Sequence, residues 1–140
     1  MNRLTTKQLI YINESLAKLI GLESGVADPE LLEYIANAPY ELEKGNDFYV
    51  YKNVVDKATR TIILFSENKP FKRLNLKTGV IAAIALLELN GINLCFEQNE
   101  LETFLTSLSC DKWLFEVCRS WLLHHIDKKR SYLLPYDPTR

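Results

Sequence analysis

Apolar residues return at helical spacing along most of this chain. Leu9, Ile12, Leu16 and Leu19 recur behind Thr5-x-x-Gln8, a capping-box pair, and predict a first helix that runs to Ile20 and stops at Gly21. GLESGVA reads as a loop, after which Asp28-Pro29 supplies an N-cap and a proline at the first helical position. Leu31, Leu32 and Ile35 form the inward face of this short second helix. Pro39 blocks it, because proline offers no amide and disfavours helix in the residue before it. The segment ELEKGN is the next loop. Over about residues 47–66, Phe48, Tyr51, Val55, Ala58, Ile62 and Phe65 mark one face of a long third helix, which ends at Glu67-Asn68-Lys69-Pro70.

After a basic loop, residues 79–89 read GVIAAIALLEL, apolar nearly all round, so this fourth helix has to be enclosed by its neighbours. Gly91 after Asn90 predicts a left-handed stop, and INLCF a brief extended connector. Asn99-x-x-Glu102 is read as the cap of a fifth helix with Leu101, Phe104, Leu105 and Leu108 inward. A sixth begins near Asp111, with Leu114, Val117, Cys118, Trp121, Leu122 and His125 on its apolar stripe. No useful period-2 run occurs, so the expected fold is all-α, about six helices round a buried central one. Residues 1–127 form the expected domain. Residues 128–140, KKRSYLLPYDPTR, lack a helical period and read as an extended tail, docked through Tyr132, Leu133, Leu134 and Tyr136 on its own domain or on a partner.

Composition narrows the function classes. The chain has 140 residues, 47% of them hydrophobic and 25% charged, which suits one domain with a single core. A formal charge of -1 argues against a nucleic-acid binder, although the basic loop and Lys128-Lys129-Arg130 make a local patch. Cys95, Cys110 and Cys118 lack CxxC spacing and read as reduced core thiols in a cytoplasmic protein. The first residues carry no signal-peptide pattern, and the apolar run that ends at Leu87 is too short to cross a bilayer, so no membrane association is expected. His124 and His125 are adjacent, hence on different faces of a helix, and do not suggest a zinc pair.

Two segments together resemble the Doc-toxin branch of the Fic family. GLESGVADPELLEYIANAP is similar to that branch's glycine-rich loop, Asp-Pro and short leucine-containing helix closing on Ala-x-Pro. ENKPFKRLNLKTGVIAAIALLELNG is similar to its signature loop and central helix, down to the closing Leu-Glu-Leu-Asn-Gly. With the helical pattern around them, the similarity extends over about residues 4–126. Family members typically carry His-x-Phe-x-(Asp/Glu)-Gly-Asn-(Gly/Lys)-Arg, often followed by Thr. In that pattern the histidine is the general base, the acid holds magnesium, and the helix start and its basic residue bind phosphate.

In this sequence the base position is Lys69 and Phe71 is retained as a core anchor; the acid is Arg73 and the glycine Leu74. Asn75 and Thr78 are retained, Leu76 follows Asn75, and the basic residue is Lys77. A lysine is protonated by default and cannot accept a hydroxyl proton, and Arg73 meets a divalent ion with a like charge. The resemblance therefore implies a catalytically impaired member. Lys72, Arg73, Asn75, Lys77 and Thr78 are the candidate phosphate or nucleotide ligands, with ATP or another nucleotide as ligand and magnesium disfavoured. Asn75 has the alternative reading of a helix N-cap, and Leu74 adds a side chain where phosphate needs close backbone approach. The family also implies partners: an antitoxin helix in a hydrophobic groove and a target such as translation elongation factor Tu. The competing function is an active phosphotransferase or nucleotidyltransferase toxin that modifies a protein hydroxyl with altered residues.

Overall fold

The computed structural model describes residues 2–41, 53–110, 115–129 and 131, with the side chains of Ser109 and Cys110 left aside. It is all-α. The elements are α1 (Thr6–Leu19), α2 (Pro29–Asn37), a 3-10 turn (Ala38–Tyr40), α3 (Val54–Glu67), α4 (Asn75–Leu89), α5 (Gln98–Cys110) and α6 (Phe115–His124). The N-terminal signals act as the sequence implies. Thr5 and Gln8 form the capping box of α1, and the Asp28 carboxylate accepts from the Leu31 N–H ahead of Pro29 in α2. Asn53 caps α3 by accepting from the Asp56 N–H, so that helix starts after the cap; Phe48, Tyr51 and the rest of residues 47–52 lie outside the described residues.

The core is a pair of enclosed helices rather than one. The most extensive contact in the molecule is α3 against α4, and both are buried on nearly all sides. The expectation of a one-faced α3 fails at Lys57, Thr59 and Thr61, all buried. Thr59 and Thr61 tolerate this because each hydroxyl donates to the carbonyl four residues back, Val55 and Lys57 respectively, leaving no donor unsatisfied. Lys57 packs its ammonium 5.9 Å from the Tyr40 ring centroid, and burial lowers its pKa while Asp56 opposes the shift. Arg3 covers the same ring at 4.0 Å, and burial raises the Tyr40 phenol.

Several faces are rotated from their sequence reading. In α1 the buried row is Leu9, Asn13 and Ala17, four residues apart, whereas Leu19 is 82% exposed. At the other end of the bundle α5 begins one residue before Asn99; Glu97 precedes it, and the Glu97 N–H donates to the Glu100 carboxylate at 2.9 Å, replacing the expected Asn99 cap. That bond, with one from His125, holds the Glu100 carboxyl below its ordinary range. The His125 ring contacts the Trp121 carbonyl through Nδ1 at 2.7 Å and Glu100 through Nε2 at 2.8 Å, tying α6 to α5. Trp121 stacks between Phe104 and His125, with centroids 4.3 and 4.1 Å away.

In α6, Cys118 and Leu122 face inward and Val117 is exposed, while Leu114 lies outside the described residues. Burial pushes the Cys118 thiol up to about 12, consistent with an inert core residue. Cys95 departs from the core reading and is exposed: the connector is extended there, Leu94 turns inward to bridge Ile126, and the next side chain points out. Gly91 takes φ 82 and ends α4 in the left-handed conformation expected of it. Ser131 is hydrogen-bonded to Asn93, so the start of the C-terminal segment is fastened to the bundle; Tyr132, Leu133, Leu134 and Tyr136 lie outside the described residues.

The close approach of α3 to α4 depends on Gly79. A Cβ there would sit 2.4 Å from the Phe65 Cβ and 2.8 Å from its Cγ, so any side chain pushes the helices apart. Gly79→Ala is expected to lower the unfolding free energy by about 1–3 kcal/mol in a denaturant titration, the clash outweighing the roughly 1 kcal/mol of helix propensity that alanine adds. Gly25→Ala, whose added carbon would meet nothing nearer than Lys72 Cε at 4.0 Å, is the control and should stay within about 0.5 kcal/mol. Equal effects at the two positions would contradict the packing argument.

Candidate functional site

The loop between α3 and α4 is built from the backbone outward. Phe71 is buried at 2% exposure, and its ring lies parallel to Phe65 with centroids 6.2 Å apart. Its main chain is gripped from one side by Asn75: the Phe71 N–H donates to Asn75 Oδ1, and Asn75 Nδ2 donates back to the Phe71 carbonyl, both at 2.9 Å. From the other side the loop pairs with residues 25–28. The Lys72 N–H donates to the Gly25 carbonyl at 2.9 Å, the Ala27 and Asp28 N–H groups both donate to the Pro70 carbonyl, and Val26 bridges Phe71. The two segments that stood out in the sequence are thus neighbours in space.

A third clamp comes from α1. Asn13, fully buried, donates through Nδ2 to the Arg73 carbonyl at 2.8 Å and to Thr78 Oγ1 at 3.0 Å. Thr78 is also fully buried, so its hydroxyl serves this internal bond and does not reach the solvent side of the loop. Asn75 is likewise corrected as an N-cap: it is the first residue of α4, and Leu74 occupies the cap position with φ 58 and ψ 33. Leu74 therefore adopts the left-handed backbone that a glycine takes without strain. No side chain caps this end of α4 through Leu74; the Thr78 N–H donates to the Leu74 carbonyl, and the amides of residues 75–77 stand at the positive end of the helix dipole without a side-chain cap.

In front of that helix start lies an open cleft of about 720 Å³. Lys69, Lys72, Arg73 and Lys77 line it together with Leu74, Asn75 and Leu76; Phe65, Ser66, Leu105 and Leu108 complete the wall. Its size is that of a small-molecule site. Among the described residues none of the four cationic side chains is paired with a carboxylate, and no carboxylate or imidazole lines the cleft. Lys69, Lys72 and Arg73 are exposed and Lys77 half-buried. His124 and His125 are not among the lining residues, and no group of three metal-ligating side chains occurs among the described residues.

These residues do not fit magnesium. A small hard cation needs anionic or carbonyl oxygen donors, whereas the only other polar side chains of the wall, Asn75 and Ser66, are engaged with backbone: Asn75 with Phe71, Ser66 with the Ile63 carbonyl. The arrangement does suit an anion, which would meet the uncapped start of α4 and four cationic side chains over a partly apolar wall. Of the residues singled out in the sequence, Lys69, Lys72, Arg73, Asn75 and Lys77 share this cleft, and Thr78 and Phe71 lie beneath it.

Asn13 was missed by the sequence reading, and Leu105 and Leu108 were read only as the inward face of the fifth helix, not as a cleft wall. Asn13 carried a detectable signal, since it falls between Leu9 and Ala17 on a row that must face inward, where an amide needs a defined partner. Leu105 and Leu108 carried none, because a helix face reads the same whether it ends in the core or at a cleft wall.

Leu74 gives a clean test of the loop geometry. Leu74→Gly and Leu74→Ala both remove the leucine beyond Cβ, so their difference isolates the strain that a Cβ causes in the left-handed backbone; the glycine variant is expected to be more stable by about 1 kcal/mol in thermal or denaturant unfolding. Equal stabilities would mean that the left-handed turn is not held in solution. No protein-family model matches the chain, and no curated protein matches it.

Proposed function

We propose that this chain is a Fic/Doc-related protein of the Doc-toxin-like branch that has given up group transfer and works by binding, with an anionic group held in the cleft at the start of α4. One observation carries the reading: four unpaired cationic side chains surround the cleft, and no base or acid lines it among the described residues. Transfer to a hydroxyl needs a proton acceptor close to the nucleophile and a means of holding the donor phosphates. Cations at Lys69 and Arg73 serve the second need and not the first. The motif-like order of Phe71, Asn75 and Thr78, each tied into the scaffold of the loop, supports the kinship.

Protein partners are the second part of the proposal. Exposed apolar side chains on α1, with Tyr11 71% and Leu19 82% exposed along one shallow groove, support an amphipathic antitoxin helix as one partner. A translation elongation factor of the Tu type is the target that the kinship suggests. No helix among the described residues is long and apolar enough to cross a membrane.

The purified chain is expected to transfer no label from ATP labelled in the α or γ phosphate to proteins of a bacterial lysate. It should still bind nucleotide or inorganic triphosphate in equilibrium dialysis, with at least about tenfold weaker affinity after Lys69→Glu. Label transfer that disappears in Lys69→Ala would establish an active transferase in place of this reading.

A further inference from the structure

The cationic cleft has a consequence for the chemical form of its ligand. A polyphosphate in solution carries several negative charges, and a divalent ion bound across its oxygens cancels two of them while occupying the oxygens that side chains would grip. In a site that offers carboxylates, the metal makes up this loss by bridging ligand and protein. Here the positions facing the ligand are Lys69, Lys72, Arg73 and Lys77, and no carboxylate lines the cleft among the described residues. A metal brought in on the ligand would gain no anionic protein donor and would stand beside the Arg73 guanidinium and the lysine ammonium groups.

We infer that the cleft takes its polyphosphate free of metal, so that magnesium competes with the protein for the ligand instead of assisting its binding. This rests on the anion-binding reading of the same cleft and adds to it the charge state of the ligand and an inverted dependence on divalent ions. The cationic side chains take the place of the metal. Arg73 grips two phosphate oxygens in its planar fork, Lys69, Lys72 and Lys77 add positive charge, and the uncapped start of α4 contributes partial positive charge. Leu76, Leu105 and Leu108 form an apolar wall that can receive the organic body of a nucleotide.

Arg73 allows the sign of the effect to be reversed without disturbing the fold. Its side chain is exposed, and only its main-chain carbonyl is used by Asn13, so Arg73→Glu leaves the clamp on the loop intact. The substitution places a carboxylate in the cleft and provides the donor that magnesium lacks.

The test is a calorimetric titration of the full chain with inorganic triphosphate and with ATP, in chelator and in saturating magnesium, at ionic strength matched with a monovalent salt. The expected result for the unmodified chain is binding in chelator that weakens by about tenfold or more in magnesium. In Arg73→Glu the order should reverse, with magnesium strengthening what binding remains. ATP binding more tightly than inorganic triphosphate would support the apolar wall as part of the site. Equal or tighter binding of the unmodified chain in magnesium would overturn this inference while leaving the anion site standing. Binding of neither probe in either condition would overturn the anion site itself.

Discussion

The contact between the Phe65 side chain and the bare backbone of Gly79 sets the geometry on which the rest depends. It lets α3 and α4 lie close enough to bury each other on nearly every side, and it fixes where the loop between them must turn back. Phe71 then stacks on Phe65, and Asn75, at the start of α4, holds the Phe71 main chain at both its donor and its acceptor. Asn13 adds a tie from α1 to the far end of the same loop. The helix start that faces the cleft is therefore placed by packing and by amide bonds to the backbone, and among the described residues no charged side chain takes part in placing it.

That separation explains how a loop can change its chemistry while keeping its shape. The polar groups that hold residues 70–75 belong to Asn13, Asn75 and the paired segment at residues 25–28, and among the described residues the side chains of Lys69, Lys72, Arg73 and Lys77 hold nothing else in place. Substitution at those four positions alters the field in the cleft with little effect on the core. Leu74 is the exception. It keeps a left-handed backbone at a cost that glycine would not carry, which makes it the one position of the loop where side-chain choice and backbone conformation conflict.

Much of the fold was legible in the sequence because the helix-starting signals are local. Thr5 with Gln8 and Asp28 with Pro29 act within one turn, and Gly91 ends α4 by its own backbone freedom. Part of what escaped depends on partners distant in the chain. Asn13 looks like an ordinary polar residue until Arg73 and Thr78 arrive beside it from sixty and more positions away. Thr59 and Thr61 are different: their polar side chains suggest the surface, but each hydroxyl is satisfied within its own helix and can be buried, while Leu19 looks buried because period alone does not tell where a neighbouring helix stops. In the cleft the cationic residues were legible as one cluster, since they lie within nine positions of sequence, from Lys69 to Lys77. The Asn75 side chain was not, because helix start and N-cap differ by a single residue that only the left-handed Leu74 decides.

Positive charge and the uncapped start of α4 are proposed to form the binding element of this protein without a metal. The most direct test is a crystal structure of the chain grown with a triphosphate and no divalent ion. The account predicts phosphate oxygens over the first turn of α4, within hydrogen-bond reach of the Leu76 or Lys77 amide and of the Arg73 guanidinium. Triphosphate seated elsewhere on the molecule, with this cleft left to solvent, would contradict it.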